Sequence, residues 1–206
     1  MPIPHSSFLI PHSLHALDRQ LLLAINRAHS PVADAVMVFA SNRIVWFPAY
    51  ALLIAWLIYH FRQRALLVLP LILGAVALAD SITSRLFKPF FARLRPCHNV
   101  QLARLLHLPD GCGGQFGFLS SHAANSVALA VFLAFALPPR RFRVLKWGVM
   151  LWAALLSYSR VYLGAHYPAD VVGGAAVGAL LGWAAATLVR HLHRRQTTQE
   201  LPHHEP

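Results

Sequence analysis

Apolar residues along the chain gather into long runs, and most of the polar residues between them form short basic links. A helix that crosses the hydrocarbon core of a bilayer needs about 20 consecutive apolar residues. Five runs reach or approach that length: about Ile44 to Tyr59, Ala65 to Phe87, Ser121 to Leu137, Leu145 to Ser159, and Ala169 to Val189. Pro70 and Gly74 lie inside the second run, where membrane helices tolerate them because neighbouring groups satisfy the freed backbone. Pro138 and Pro139 end the third run, and the third and fourth are short enough that their ends are expected at the interface.

Before Ile44 the pattern changes. The stretch "LHALDRQLLLAINRAHSPVADAVMVFASN" interleaves apolar residues with Asp18, Arg19, Arg27 and Asp34. That mixture predicts an interfacial amphipathic helix, with a sixth crossing as the alternative. The expected fold is all-α: a polytopic membrane helix bundle of five to six transmembrane helices with an N-terminal amphipathic segment. Residues 1–43 form the N-terminal tail and interfacial segment, 44–192 the membrane core, and 193–206 a polar tail expected to be disordered.

Composition supports a membrane location: 57% of the 206 residues are hydrophobic and only 12% are charged. Eighteen Lys and Arg against seven Asp and Glu give a formal charge of +11, a balance also found in nucleic-acid-binding proteins. The placement of the charges argues against nucleic acid. They fall in "HFRQR" (His60 to Arg64), in "PPRRFRVLK" (Pro138 to Lys146) and at Arg190, Arg194 and Arg195, links that lie on one side if five helices alternate. The positive-inside rule makes that side cytoplasmic. The loop from Lys88 to Ser120 and the 159–170 connection then face outward, which places the polar clusters on the periplasmic or exterior face of a bacterial inner membrane. The N-terminus lacks a basic leader joined to an apolar core, so no cleaved signal peptide is expected.

The outward loop carries both cysteines, Cys97 in "RPCHNV" and Cys112 in "DGCGG". On an exported face these can close a disulfide that pins the loop; the alternative is two free thiols.

Three polar clusters interrupt the hydrophobic pattern. In "KPFFARLRP", Lys88 and Arg95 stand seven residues apart, so a continuous helix would aim both cations to one side until Pro96 ended it. Ordinary interfacial snorkelling explains either one alone. In "GFLSSHAANS", Ser120 is a natural N-cap, and the free N–H groups of the following turn make an anion site beside His122. A structural, hydrogen-bonded histidine is the alternative for His122. In "SRVYLGAHYPAD", Arg160 ends one run, while His166 and Asp170 stand four apart at the start of the next. That spacing lets the carboxylate accept from one ring nitrogen and leaves the other as a nucleophile or base. A purely structural pair is the competing reading.

Together the clusters bring three cations, a helix start, two histidines and one carboxylate to the outer membrane surface, a set that suits a tetrahedral phosphate dianion. Asp80, near the outer end of the second run, is a candidate partner for Arg85 or another nearby cation. Gly174, Gly178 and Gly182 form a small-residue stripe suited to close packing within the bundle. The five tryptophans read as belt or packing residues.

The order Lys, six residues, Arg-Pro; then Ser-x-His; then Ser-Arg, five residues, His, three residues, Asp, spanning Lys88 to Asp170, resembles the tripartite signature of the type 2 phosphatidic acid phosphatase superfamily. The resemblance implies a membrane phosphatase that needs no metal or other cofactor. It assigns nucleophilic attack on phosphorus to His166, its orientation to Asp170, and protonation of the leaving oxygen to His122. Lys88, Arg95, Ser120, the Ser121 backbone N–H and Arg160 would hold the phosphoryl oxygens. Among the family's substrates, membrane lipid phosphates and diphosphates, undecaprenyl diphosphate is the first expectation. Phosphatidylglycerol phosphate, phosphatidic acid and lipid A are alternatives, and a vanadate-dependent haloperoxidase or a non-catalytic lipid-phosphate transporter are alternatives of other classes. The family's second motif is commonly Pro-Ser-Gly-His, whereas this chain reads Leu119-Ser120-Ser121-His122. A serine at the glycine position narrows the site or adds a hydroxyl donor.

Overall fold

A computed structural model describes residues 12–138 and 140–199 of the chain. The expected extreme N-terminal tail, Pro139 and the last seven residues of the polar tail lie outside the described residues. Among the described residues the architecture is helical without a named strand.

The N-terminal segment forms two helices, α1 (His12–Arg27) and α2 (Pro31–Ser41). The break has a local cause. Ser30 accepts from the Ala33 N–H at 3.2 Å as an N-cap, and Pro31 occupies the first helical position, where its missing N–H costs nothing. α1 presents Asp18, Leu22 and Asn26, all buried, to the bundle, while Leu14, Leu17 and Leu21 on the neighbouring flank stay exposed. Leu22 packs with Leu102, Val161 and Tyr167. Asn26 donates to the carbonyls of His107 and Tyr162 at 2.8 and 2.7 Å and accepts from the His107 N–H at 2.9 Å. A helix predicted to lie at the interface is therefore fastened to the core by its polar stripe.

α3 (Phe47–Phe61) follows a short 3-10 turn, and Arg62, at φ 49°, ends it. α4 (Ala65–Ser81) turns back beside α3 and continues through a π-helical stretch, Ile82–Phe87, into the short α5 (Lys88–Phe91). The loop after α5 carries α6 (Val100–Ala103) before α7 (Ser121–Ala136), α8 (Arg143–Tyr162) and α9 (Pro168–Gln199). Two stretches are long and apolar enough to cross a membrane, 44–91 and 168–193; α7 is a shorter apolar helix. α9 continues to Gln199, which corrects the expectation of disorder from residue 193. No Gly or Pro interrupts the sequence from His193 to Leu201, and Arg and Gln are good helix formers.

α7 and α9 form the centre of the bundle. A Cβ on Gly174, Gly178 or Gly182 would run into the backbone carbonyl oxygen of Ser120, Ala124 or Ala128 respectively. Only glycine permits this backbone approach, so the stripe works within the monomer. Below it, Phe132, Leu133 and Ala186 pack with Leu57, Val68 and Ile72 from the α3–α4 pair. The outside of the bundle is also apolar, with Leu52, Leu66, Val144 and Val172 exposed, the inverse of what water would select.

Candidate active site

The π-helical stretch and α5 carry Lys88 to the end of the bundle where α7 and α9 begin. The helix stops at Phe91, because Ala92 adopts the left-handed conformation at φ 46°. Lys88 and Arg95 therefore do not share a helical face, contrary to the sequence expectation. Arg95 arrives on extended backbone, with its N–H bonded to the Gln115 carbonyl at 3.0 Å and its Nε donating to the Phe116 carbonyl at 3.3 Å. A disulfide between Cys97 and Cys112, with Cα atoms 5.8 Å apart, closes the same loop. The Gly117 N–H bonds to the Arg93 carbonyl at 2.8 Å. The loop is in effect a small knot that presents Arg95.

Lys88 and Arg95 meet in a cavity of about 460 Å³ whose polar end is also lined by Arg43, Ser121, His122 and His166. The remainder runs between α3, α4, α7 and α8 and is lined by apolar residues such as Leu53, Leu57, Ile72 and Leu129. A charged head opening into an apolar channel fits an amphiphile with an anionic group.

The two serines of the second cluster divide their work. Ser120 is fully buried; its Oγ accepts from the Ala123 N–H at 3.4 Å, and its own N–H donates to the Asp170 carbonyl at 2.9 Å. It caps α7 and stands apart from the residues that line the cavity. Ser121 does line the cavity. Its Oγ receives Lys88 Nζ at 2.9 Å and Thr83 Oγ1 at 2.9 Å, and lies 2.8 Å from Ser84 Oγ. The hydroxyl in the glycine position thus anchors a cation. His122 follows in the first turn of α7.

Arg160, in the last turn of α8, is buried behind the cavity wall and donates through Nη1 to Ser41 Oγ, while its Nε has no partner. Its charge reaches both His122 and His166.

His166 stands in the α8–α9 connection, and Asp170 lies in the first turn of α9. They are 1% and 0% exposed. His166 Nδ1 lies 3.8 Å from Asp170 Oδ2 and has no hydrogen-bond partner. The geometry brings the pair together but leaves the expected hydrogen bond open. Burial pushes the His166 imidazole down to about 4, although Asp170 opposes the shift.

The Asp170 oxygens have other partners. Oδ2 accepts from the Tyr167 N–H at 3.0 Å, and Oδ1 accepts from Arg93 Nη1 at 2.6 Å. Arg93 also donates through Nη2 to Asp18 Oδ2 at 2.5 Å. Burial alone would lower the Arg93 guanidinium; the two carboxylates outweigh it and hold it above its ordinary value.

Sequence reasoning did not pick out Arg93, Asp18, Arg43 or Ser41 as site residues. Arg93 lies inside the quoted "KPFFARLRP", and Asp18 is an acid in an apolar segment, so both offered a weak signal. Asp80 accepts from Asn125 Nδ2 at 3.0 Å in the cavity wall; its hydrogen-bond partner is an amide, not Arg85.

Comparison with known proteins places these residues in a lineage. Residues 69–194 match the PAP2 superfamily. The chain is 39% identical over 173 residues to a lipid A 4'-phosphatase of Bacteroides thetaiotaomicron, covering 82% of this chain and 76% of that protein. It is 33% identical to a lipid A 4'-phosphatase of Porphyromonas gingivalis, covering 81% and 70%, and 26% identical to the undecaprenyl-diphosphatase BcrC of Bacillus subtilis, covering 75% and 74%. The crystal structure of Aquifex aeolicus LpxE shares the fold, with a TM-score of 0.61 at 23% identity over 83% of this chain and 95% of that one. The matched segment encloses every residue from Lys88 to Asp170, and on that match the chain belongs to the PAP2 superfamily.

Proposed function

We propose that this membrane lipid phosphatase removes a phosphate monoester from a lipid A-type glycolipid through a phosphohistidine at His166. The observation that carries the reading is the cavity itself: one volume joins Lys88, Arg95, His122 and His166 to a long apolar channel. A lipid phosphate can place its anion among the cations while its acyl chains remain in hydrocarbon.

The choice of lipid changes from the first expectation. Undecaprenyl diphosphate gives way to lipid A because the relatives at 39% and 33% identity are lipid A 4'-phosphatases, whereas the undecaprenyl-diphosphatase stands at 26%.

In the first step, the lone pair of His166 Nε2 attacks phosphorus and the bond from phosphorus to the sugar oxygen breaks. The leaving oxygen takes its electron pair and a proton from protonated His122. The phosphorylated imidazole is positively charged, and Asp170 beside Nδ1 offsets that charge. In the second step, water attacks phosphorus and gives a proton to the now neutral His122. Inorganic phosphate leaves and His166 is regenerated. Positioning and charge stabilisation dominate phosphoryl transfer, so Lys88 and Arg95 at the cavity, with Arg160 behind it, take the role that a metal ion plays in other phosphatases.

In the membrane, α3, α4, α7, α8 and α9 are the five crossing helices, with α1 and α2 at the outer interface. Arg62, Arg64, Arg140 and Arg141 lie in the connections between these helices, and Arg143 opens α8, at the end away from the site. That distribution favours a cytoplasmic location for the basic end and a periplasmic one for the active site.

The test is phosphate release by purified protein in detergent with excess chelator, from lipid A, undecaprenyl diphosphate, phosphatidylglycerol phosphate and phosphatidic acid. Lipid A is expected to be hydrolysed with the highest kcat/KM, and His166→Ala to be inactive on every lipid. Preference for undecaprenyl diphosphate would refute the substrate assignment. Loss of wild-type activity to the chelator would refute the metal-free step.

A further inference from the structure

Resting on His166 as the nucleophile, we infer that Asp18 and Arg93 are positioning residues: the buried chain Asp18–Arg93–Asp170 fixes the carboxylate beside His166 and makes α1 part of the reaction centre. Asp18 lies outside the segment that defines the family, residues 69–194.

The geometry is specific. Arg93 is 7% exposed, Asp18 6% and Asp170 0%, so neither carboxylate can turn to water for its partners. The two terminal nitrogens of one guanidinium are divided between two acids, Nη1 to Asp170 at 2.6 Å and Nη2 to Asp18 at 2.5 Å. The plane of the guanidinium is set by the Tyr167 ring, whose centroid lies 4.1 Å away. Asp18 has a second hold, because its Oδ1 accepts the Ala169 N–H at 2.8 Å in the first turn of α9. One acid on α1 therefore grips both the arginine and the helix that carries Asp170.

Charge counting gives the arrangement a purpose. Two carboxylates share one guanidinium, which leaves the cluster one negative charge in excess. With Asp18 absent, Arg93 would neutralise Asp170 one to one, and little charge would remain for the cationic His166 of the phosphoenzyme. Sharing Arg93 with Asp18 keeps Asp170 electrostatically available while its Oδ1 stays immobilised. His166 otherwise faces positive or neutral groups, namely Arg95 from the loop, Arg160 from α8 and His122 from α7, so Asp170 is its one source of compensation among the described residues.

The experiment uses the full chain in detergent and the same lipid panel, with Asp18→Asn, Asp18→Glu and Arg93→Lys. Asp18→Asn is expected to lower kcat at least about tenfold with KM changed by less than about threefold, because the loss falls on the chemical step. Its acid limb should move to lower pH, since the cationic imidazole is less well compensated, and Asp18→Glu should recover part of kcat. Arg93→Lys keeps the buried cation but not the two-pronged bridge. It should also lose about tenfold in kcat, and it provides a separate arm if Asp18→Asn does not fold. Wild-type kcat in Arg93→Lys, or a folded Asp18→Asn with an unmoved acid limb, overturns the inference. A wild type that releases no phosphate from any lipid, or an active His166→Ala, refutes the underlying reading of the site instead.

Discussion

Lys88 Nζ donates to Ser121 Oγ across 2.9 Å, tying the end of the α4–α5 arm to the first turn of α7. The serine that departs from the common family motif thereby fixes the position of a cation that lines the cavity. Removing the hydroxyl strips a half-buried ammonium of one acceptor, a loss of about 1 kcal/mol. Ser121→Ala is expected to reduce kcat/KM about fivefold. Steady-state kinetics on lipid A check this; an unchanged kcat/KM would mean that the serine does not position Lys88.

The acid limb of the reaction should lie well below the range usual for histidine nucleophiles. His166 is pushed down from 6.5 to about 4, chiefly by burial. A lowered value means that the imidazole stays neutral, with its lone pair free, at every pH above about 4. Rapid-mixing measurements of phosphoenzyme formation should therefore show little decline between neutral pH and about 5. A half-maximum near 6.5 would contradict the buried environment. Stability runs in the same direction: below 6.5 the unfolded imidazole takes a proton that the folded one refuses until about 4, so acidification through that window favours unfolding.

Reduction of the loop disulfide should affect both stability and turnover. Cys97 and Cys112 are separated by 15 in sequence, and a closed loop of that size stabilises a fold by about 3 kcal/mol. Cys97→Ser with Cys112→Ser should lower the unfolding midpoint and raise KM, because the same loop places Arg95. Thermal unfolding and kinetics with and without a reducing agent test this; an unchanged KM would separate the bridge from the site.

Much of the helical layout was legible in the sequence because a membrane helix needs only composition and length, and both are local. The clusters around Lys88, His122 and His166 were legible for a similar reason, since each is a short segment with unusual residue types. What the sequence hid was set by backbone detail or by distance. Phe91 ends its helix through the conformation of Ala92, so a correct grouping of Lys88 with Arg95 rested on an incorrect helical phase. Ser120 and Ser121 differ in role only through the turn between them. Arg93 meets Asp18 and Asp170 across 75 and 77 residues of chain, a separation at which periodicity carries no information.

Gly178 lies where a methyl group would strike the Ala124 carbonyl oxygen. Gly178→Ala should push α9 away from α7 and cost about 1–3 kcal/mol. Activity should fall as well, because α7 carries His122 and α9 carries Asp170. Thermal unfolding together with phosphate release checks the coupling; a destabilised variant with full activity would show that the separation of the helices is not critical.

The apolar half of the cavity, between α3, α4, α7 and α8, also determines how substrate is counted. A molecule that enters with its tail in hydrocarbon is supplied by lateral diffusion within a sheet, so occupancy follows its mole fraction in the bilayer or micelle rather than its molarity. Inert detergent or phospholipid added at constant bulk substrate dilutes the surface and slows turnover, although no solute concentration has changed. The natural rate constant of this protein is therefore two-dimensional, and the crowding of its leaflet regulates it as directly as the abundance of its substrate.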